Sequence, residues 1–151
     1  MTNQFDGKDQ LKVHATAVEI AGAAIMVRGP SGSGKSDLAL RLIDRGATLI
    51  SDDIVNVTRQ DQKLLLSPPA RLAGKLEVRS LGILEYDHIS GIAVHLIIDL
   101  KEHPDRFPLE KQVSILLGIA VPSCTLNAME TSAAIKAELA LQQATQDTVI
   151  S

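Results

Sequence analysis

The chain has 151 residues, 45% of them hydrophobic, and a formal net charge of −3. This length fits one domain with a buried core, and its aromatic residues number only three: Phe5, Tyr86 and Phe107. Scarce aromatics and an acidic balance argue against nucleic-acid modules that stack bases or present a basic surface. A lone cysteine, Cys124, and apolar runs too short to span a bilayer predict a cytoplasmic protein without a membrane anchor.

Hydrophobic periodicity divides the chain into a polar lead, residues 1–10, expected to be mobile, and one strand-rich α/β domain, residues 11–145. In chain order the predicted strands are residues 11–20, 24–28, 48–51, 54–58, 93–100 and 112–120. A helix is predicted over residues 35–45, ended by Gly46 as a left-handed cap. A capping box of Asn127 and Glu130 predicts a second, alanine-rich helix at the C-terminal end.

The strongest motif lies between the second predicted strand and the first predicted helix. Its residues are Gly29, Pro30, Ser31, Gly32, Ser33, Gly34, Lys35 and Ser36, which fit the phosphate-loop pattern G-x-x-x-x-G-K-[ST]. Glycines let the backbone turn its N–H groups toward a polyphosphate, and the helix adds the positive end of its dipole. Lys35 is expected to contact the β and γ phosphates, and Ser36 to bind Mg²⁺. The alternative is a surface turn with a lone lysine, and the flanking strand and helix favour the phosphate loop.

Acidic residues follow two of the predicted strands. Asp52 and Asp53 come directly after residues 48–51 and begin only 16 residues after Ser36, so we expect them beside the phosphate loop. Asp99 lies at the end of an apolar predicted strand and has two interpretations: a metal-associated acid, or an ordinary turn or capping acid. The acid pair is the better candidate for a functional role.

Together these residues resemble the HPr kinase/phosphorylase family, HPr being the phosphocarrier of the bacterial sugar phosphotransferase system. The resemblance covers residues 11–125, and it is carried by His14, the phosphate loop, the acid pair, and the segment Leu76-Glu77-Val78-Arg79-Ser80-Leu81-Gly82-Ile83. It implies a P-loop kinase domain of the HPr kinase/phosphoenolpyruvate carboxykinase-like type. Such a domain phosphorylates a serine of an HPr-type phosphocarrier, using ATP and Mg²⁺, and it is compatible with a homo-oligomer.

The resemblance also implies roles for individual residues. Lys35 and Ser36 keep their phosphate and Mg²⁺ roles, and one acid of the pair, preferably Asp53, is the general base toward the serine hydroxyl. Glu77 is implied as a metal ligand, and His14 as a neighbour of the reacting phosphate. Without the resemblance, His14 would be interpreted as a structural strand histidine and Glu77 as part of a solvated charge pair.

Three features depart from the common long form of the family. The motifs begin almost at residue 1, where the long form carries a separate N-terminal domain, so the chain resembles the short form of some α-proteobacteria. Ser80 stands where the family segment usually has glycine. Residues 113–135 contain neither Lys nor Arg, whereas the long form has a catalytic arginine in its last third. We therefore expect kinase activity with weak phosphorolysis.

Two other functions remain open from the sequence. A small-molecule P-loop kinase is one, since the loop is similar to that of guanylate kinases, although those need aromatic and basic contacts to a nucleotide acceptor. A non-catalytic ATP-sensing module is the other, favoured by the missing arginine and opposed by His14, Asp53 and Glu77. A transporter ATPase is not favoured, because a Leu-Ser-Gly-Gly signature is absent.

Overall fold

The computed structural model describes residues 9–104 and 111–150. The strands of this part of the chain are β1 (Gln10–His14), β2 (Thr16–Ile20), β3 (Ala23–Arg28), β4 (Thr48–Ser51), β5 (Ile54–Gln60), β6 (Lys63–Ser67), β7 (Lys75–Val78), β8 (Gly82–Glu85), β9 (Ile92–Leu100), β10 (Gln112–Leu116) and β11 (Ile119–Leu126). The helices are α1 (Lys35–Asp44), α2 (Ala133–Ile150) and a short 3-10 helix, Ala70–Leu72.

Nine of these strands form one sheet, built around the long strand β9. The main strand order is β1-β5-β6-β9-β3-β2-β4. The first half of β9 pairs with β6, and its second half pairs with β11, which in turn pairs with β10. Strands β3, β9 and β11 run parallel, and β4 has the same direction because both β3 and β4 are antiparallel to β2. The carboxyl ends of these four strands therefore meet at one edge, while β7 and β8 form a separate hairpin.

The core lies on both faces of this sheet. Along β3, Ile25 and Val27 pack in a cluster with α1 and α2, whereas Ala24 and Met26 pack in a second cluster with β5 and β6. Side chains alternate across a strand, so a strand buried on both faces reads as a continuous apolar run. The apolar run at residues 24–28 predicted this strand. Because β3 lies between β9 and β2 inside the sheet, the phosphate loop that follows it begins at the centre of the sheet edge.

The first helix confirms its prediction to within one residue. Helix α1 ends at Asp44, and Gly46 follows with a φ of +112°, donating its N–H to the carbonyl of Ile43 at 3.0 Å. Glycine adopts this left-handed conformation without the steric cost that a Cβ brings. Within the described residues, no helix is long and apolar enough to cross a membrane.

The N-terminal strand prediction is wrong in one respect. Residues 11–20 are two strands rather than one, because the chain changes partner at Ala15: β1 pairs with β5, and β2 pairs with β3 and β4. The alternation of apolar and polar residues continues without interruption across Ala15, so the sequence pattern could not show that the strand changes partner there. Strand β1 begins at Gln10, which the sequence pattern assigns to the N-terminal lead, residues 1–10. Residues 1–8 of that predicted lead lie outside the described residues.

Two predictions in the C-terminal third are also wrong. Residues 112–120 are a hairpin, since Leu117 and Gly118 turn the chain with φ values of +48° and +81° between β10 and β11. The apolar Leu117 concealed that turn. The capping box does not form, because α2 begins at Ala133 and Glu130 instead pairs with Lys136 at 2.8 Å. Asn127 accepts the N–H of Met129 in a turn that precedes the helix.

Candidate active site

The phosphate loop connects β3 to α1, and its glycines stand where other residues would not fit. Gly32 and Gly34 have φ values of +82° and +101°. A Cβ at Gly29 would lie 2.6 Å from Ser33 Oγ and 3.2 Å from Leu100 Cβ, so the loop is packed tightly against β9. The loop conformation therefore depends on glycine for two different reasons, backbone angle and close approach.

The phosphate loop brings a buried hydroxyl, a helix N-terminus and a lysine together at one place. Among residues 9–104 and 111–150, Ser33 Oγ is buried without a hydrogen-bond partner, and no side chain caps the N-terminus of α1. Lys35 Nζ folds back over the loop and donates to the carbonyls of Gly29, at 2.7 Å, and Pro30, at 3.1 Å. First-turn N–H groups lack intrahelical acceptors and favour anions. An orphaned hydroxyl, free N–H groups and a lysine at one place fit a phosphate chain.

Asp52 is held rigidly against the phosphate loop. It is only 6% exposed, and its Oδ1 accepts hydrogen bonds from Ser36 Oγ at 2.7 Å and Thr16 Oγ1 at 2.8 Å. Its Oδ2 accepts the backbone N–H of Glu77 at 3.0 Å. A P-loop serine next to a strand-end aspartate is the donor set that holds Mg²⁺ in P-loop phosphotransferases. Hard oxygen ligands of this kind suit Mg²⁺, so the residues present fit that ion.

Asp53 differs from its neighbour in almost every respect. Its side chain is 68% exposed, and its φ is +74°. The carbonyl of Asp52 accepts the N–H of Ile54 at 2.9 Å, which makes Asp53 the centre of a γ-turn with positive φ. Such turns are rare and strained, and strained residues cluster at active sites. The backbone thus turns one carboxylate of the pair inward and the next one outward, beside the phosphate loop.

His14 joins Asp53 at the outer rim of the site. Its side chain is 83% exposed, and its Nδ1 lies 3.9 Å from Asp53 Oδ1. The partner change at Ala15 produces this contact, because β1 ends opposite Ile54 and the N–H of Ala15 binds the carbonyl of Asp53 at 3.1 Å. The same break sends Thr16 inward to Asp52. The sequence placed His14 among the site residues but gave no signal for Thr16.

Glu77 lies next to the acid pair, and its contact with that pair is made by its backbone. The residue is exposed, and no group of three or more His, Cys, Asp or Glu residues is arranged for a metal ion among residues 9–104 and 111–150. Its role as a metal ligand therefore stays a prediction. Further along the hairpin, Ser80 has a φ of +75°, which explains why glycine suits this position.

Asp99 has a partner that neither interpretation anticipated. Arg28 donates from Nε to Asp99 Oδ1 at 2.8 Å and from Nη2 to Asp99 Oδ2 at 3.1 Å, and it also reaches Ser114 Oγ. Arg28 and Asp99 are register partners on β3 and β9, 71 residues apart, so local sequence gave no sign of the pair. Nearby, burial and, to a smaller extent, Asp99 raise the pKa of the Cys124 thiol to about 11.

The fold and the site together define a P-loop domain of the kinase type. A parallel strand enters a glycine-rich anion loop ending in Lys-Ser, and a strand-end acid pair lies beside it at the carboxyl edge of the sheet, where open α/β sheets bind ligands. The chain matches the HPr serine kinase C-terminal domain over residues 8–148 and therefore belongs to that family.

Individual relatives agree with this assignment. The HPr kinase/phosphorylase of Levilactobacillus brevis is 34% identical over 141 residues, covering 83% of this chain and 45% of the relative. That of Lactiplantibacillus plantarum is 38% identical over 118 residues, covering 74% of this chain and 38% of the relative. The structure of the Hpr(Ser) kinase/phosphatase from Coxiella burnetii matches with a TM-score of 0.80 at 25% identity, over 91% of this chain and 98% of that one. The chain spans less than half the length of the two curated relatives.

Proposed function

We propose that this chain is an ATP-dependent serine kinase that phosphorylates an HPr-type phosphocarrier and uses Mg²⁺. The observation that carries the proposal is that the two carboxylates of the acid pair have different environments. Asp52 is fixed on Ser36 and Thr16, whereas Asp53 is exposed beside the phosphate loop, where a protein hydroxyl can approach it. A kinase needs both positions: an acid associated with the metal site and a base open to the acceptor.

The chemistry assigned to this chain's own residues is proton transfer and charge compensation. The Asp53 carboxylate accepts the proton of the serine hydroxyl as the hydroxyl oxygen attacks the γ-phosphorus of ATP and the bond from that phosphorus to ADP breaks. This is general-base catalysis, with ADP as the leaving group. Lys35 moves from the loop carbonyls to the phosphates, and Ser36 with Asp52 orients the Mg²⁺ site. Mg²⁺, when bound, offsets negative charge on the transferring phosphoryl group. His14, beside Asp53, is proposed as a neighbour of the reacting phosphate, and Glu77 as a further metal ligand.

The direct test uses ATP labelled in its γ-phosphate. The purified chain is incubated with Mg²⁺, this ATP and an HPr-type carrier, in parallel with a carrier whose acceptor serine is replaced by alanine. We expect label on the first carrier and none on the second. Label on a small molecule instead would favour the small-molecule kinase, and nucleotide binding without transfer would favour the ATP-sensing module.

We further propose that phosphorylation exceeds phosphorolysis, the attack of inorganic phosphate on the phosphoserine. The reverse reaction must hold two anions in one pocket, so it needs additional cations. Arg28 is paired with Asp99 and Lys136 with Glu130, while Arg79 lies in the exposed turn between β7 and β8. Pyrophosphate release from phosphorylated carrier and inorganic phosphate measures this reaction. Phosphorolysis as fast as phosphorylation would contradict the expectation and point to Arg79, or to Arg106, which lies outside the described residues.

A further inference from the structure

The segment between β11 and α2, residues 127–130, lies against the phosphate loop. A Cβ placed on Gly34 would come within 2.9 Å of Ala128 Cβ and 3.4 Å of Met129 Cε. The segment therefore fills the space beside Gly34, the residue that precedes α1. It follows β11, which is parallel to β3, so it lies at the same carboxyl edge of the sheet as the acid pair.

The segment and the acid pair are on opposite sides of the loop. From β3, the acid pair is two strands away across β2, at the end of β4, while residues 127–130 are two strands away across β9, at the end of β11. The strands that carry the two features, β4 and β11, are separated in the sheet by β2, β3 and β9. The phosphate loop lies between them.

This arrangement gives a bound nucleotide a direction. A phosphate loop holds the α and β phosphates on its backbone N–H groups, and its lysine reaches the β and γ phosphates. The proposed function requires the γ-phosphate to face Asp53, so the nucleoside must leave the loop on the opposite side. Residues 127–130 occupy that side.

The backbone of this segment is fixed by its own hydrogen bonds. Arg41, on α1, donates to the carbonyls of Ala128 and Glu130. Asn127 donates from Nδ2 to the carbonyl of Glu102 at 3.0 Å, and its Oδ1 accepts the N–H of Met129 at 2.8 Å. The polar groups named here are thus engaged within the fold. What the segment offers to a ligand is the side chain of Met129, which is 70% exposed.

We propose that Met129 forms the apolar surface on which the purine base of the phosphoryl donor packs. The inference rests on the proposed function, since that function supplies the direction of the nucleotide. A thioether makes favourable contacts with aromatic rings, and its flexible side chain adapts to the ring it meets. Met129 would recognise the base by apolar surface contact and not by hydrogen bonds, because the Asn127 amide and the Ala128 carbonyl already have partners. Adenine and guanine nucleotides should therefore bind with similar affinity.

The test compares a ligand that has a base with one that has none. Calorimetric titration of the full chain with MgADP and with magnesium tripolyphosphate is carried out on the wild type, Met129→Gln and Met129→Leu, and the wild type is also titrated with MgGDP. Leu139→Gln is the matched control, since Leu139 is a 52% exposed apolar residue on α2. We expect Met129→Gln to weaken MgADP binding about 5- to 10-fold, as the loss of a partly buried apolar contact does, and to leave tripolyphosphate unchanged. Met129→Leu and Leu139→Gln should retain wild-type affinity for both ligands.

The outcomes separate this inference from the function on which it rests. Unchanged MgADP affinity in Met129→Gln would overturn the base contact while leaving the kinase intact, and equal weakening of both ligands would show a damaged phosphate loop rather than a base site. A strong preference of the wild type for MgADP over MgGDP would overturn recognition by apolar surface contact. A wild-type chain that binds neither MgADP nor tripolyphosphate would overturn the proposed function itself.

Discussion

The candidate active site has an inner region, formed by Thr16, Ser36 and Asp52, and an outer region, formed by His14 and Asp53. In the inner region every named side chain is hydrogen-bonded to another, at distances of 2.7 to 2.8 Å. In the outer region the two side chains are exposed and lie 3.9 Å apart. A buried, fully bonded carboxylate holds its geometry, whereas an exposed one is available to a second molecule.

The difference shows that identical side chains acquire different chemistry from the backbone that carries them. Asp52 and Asp53 are adjacent, yet the γ-turn at Asp53 points one toward the loop and the other toward solvent. A strained backbone conformation of this kind costs a residue with a Cβ about 1–3 kcal/mol. We infer that the strain at Asp53 is retained because it presents the proposed base to the acceptor.

The largest expected effect comes from removing the base in the outer region. Asp53→Asn should lower the rate of phosphoryl transfer by about 10²–10⁴-fold, because the amide cannot accept the hydroxyl proton. Asparagine tolerates positive φ, so the turn and MgADP affinity should survive. Single-turnover transfer from labelled ATP measures the loss. Asp61→Asn is the matched control, since Asp61 is also an exposed acid with positive φ, in the turn between β5 and β6.

Removing the inner carboxylate should act first on stability. Asp52→Ala leaves the Thr16 hydroxyl and the Glu77 N–H without their acceptor, so we expect the free energy of unfolding to fall by about 2–4 kcal/mol. Asp53→Gly should raise it by up to about 1 kcal/mol, because glycine relieves the left-handed strain. Urea denaturation of both variants checks this contrast. Equal changes of the same sign would show that the two regions do not differ as described.

Lys35 lies in the phosphate loop, outside both regions, and its replacement should affect nucleotide binding and not folding. Lys35→Ala should lower the affinity for MgADP about 10- to 100-fold, which is the usual contribution of a hydrogen bond to a charged group. The circular dichroism spectrum should stay unchanged. Ser36→Ala should lower the Mg²⁺-dependent part of that affinity. Lys63→Ala, at an exposed lysine of β6, serves as the control. Wild-type affinity in both loop variants would count against the phosphate-loop assignment.

The smallest effect is expected at Ser80, which has positive φ but no part in proton transfer. Ser80→Gly should raise the free energy of unfolding by up to about 1 kcal/mol and leave the transfer rate unchanged. Asp53→Gly gains a similar stability but should lose transfer. If Ser80→Gly also lost activity, strain at the hairpin would have a function that we do not assign to it.

Local patterns predicted the elements that need only local information. The phosphate loop, α1 and its Gly46 cap follow from glycine positions and helical periodicity, and the acid pair follows from its place after a predicted strand. The family resemblance added His14 and Glu77. The pattern failed where pairing decides the structure. The hydrophobic pattern does not show where the chain changes strand partner, at Ala15, or where it turns, at Leu117 and Gly118.

The roles within the acid pair were only partly predictable. The preference for Asp53 as the base came from the resemblance, and no sequence signal showed that Thr16 and the Glu77 N–H would bind Asp52. Arg28 and Asp99 likewise meet across neighbouring strands. Such contacts arise from sheet order, which the sequence of one chain does not display.

The most direct test of the division between the two carboxylates is a magnesium titration of Asp52→Asn and Asp53→Asn, compared with the wild type. Nucleotide affinity and single-turnover transfer to an HPr-type carrier are both measured at each Mg²⁺ concentration. We predict that Asp52→Asn needs more Mg²⁺ to bind nucleotide, whereas Asp53→Asn binds at wild-type Mg²⁺ and remains slow in transfer even at saturation. A shifted Mg²⁺ requirement in Asp53→Asn, with normal Mg²⁺ dependence in Asp52→Asn, would contradict the assignment.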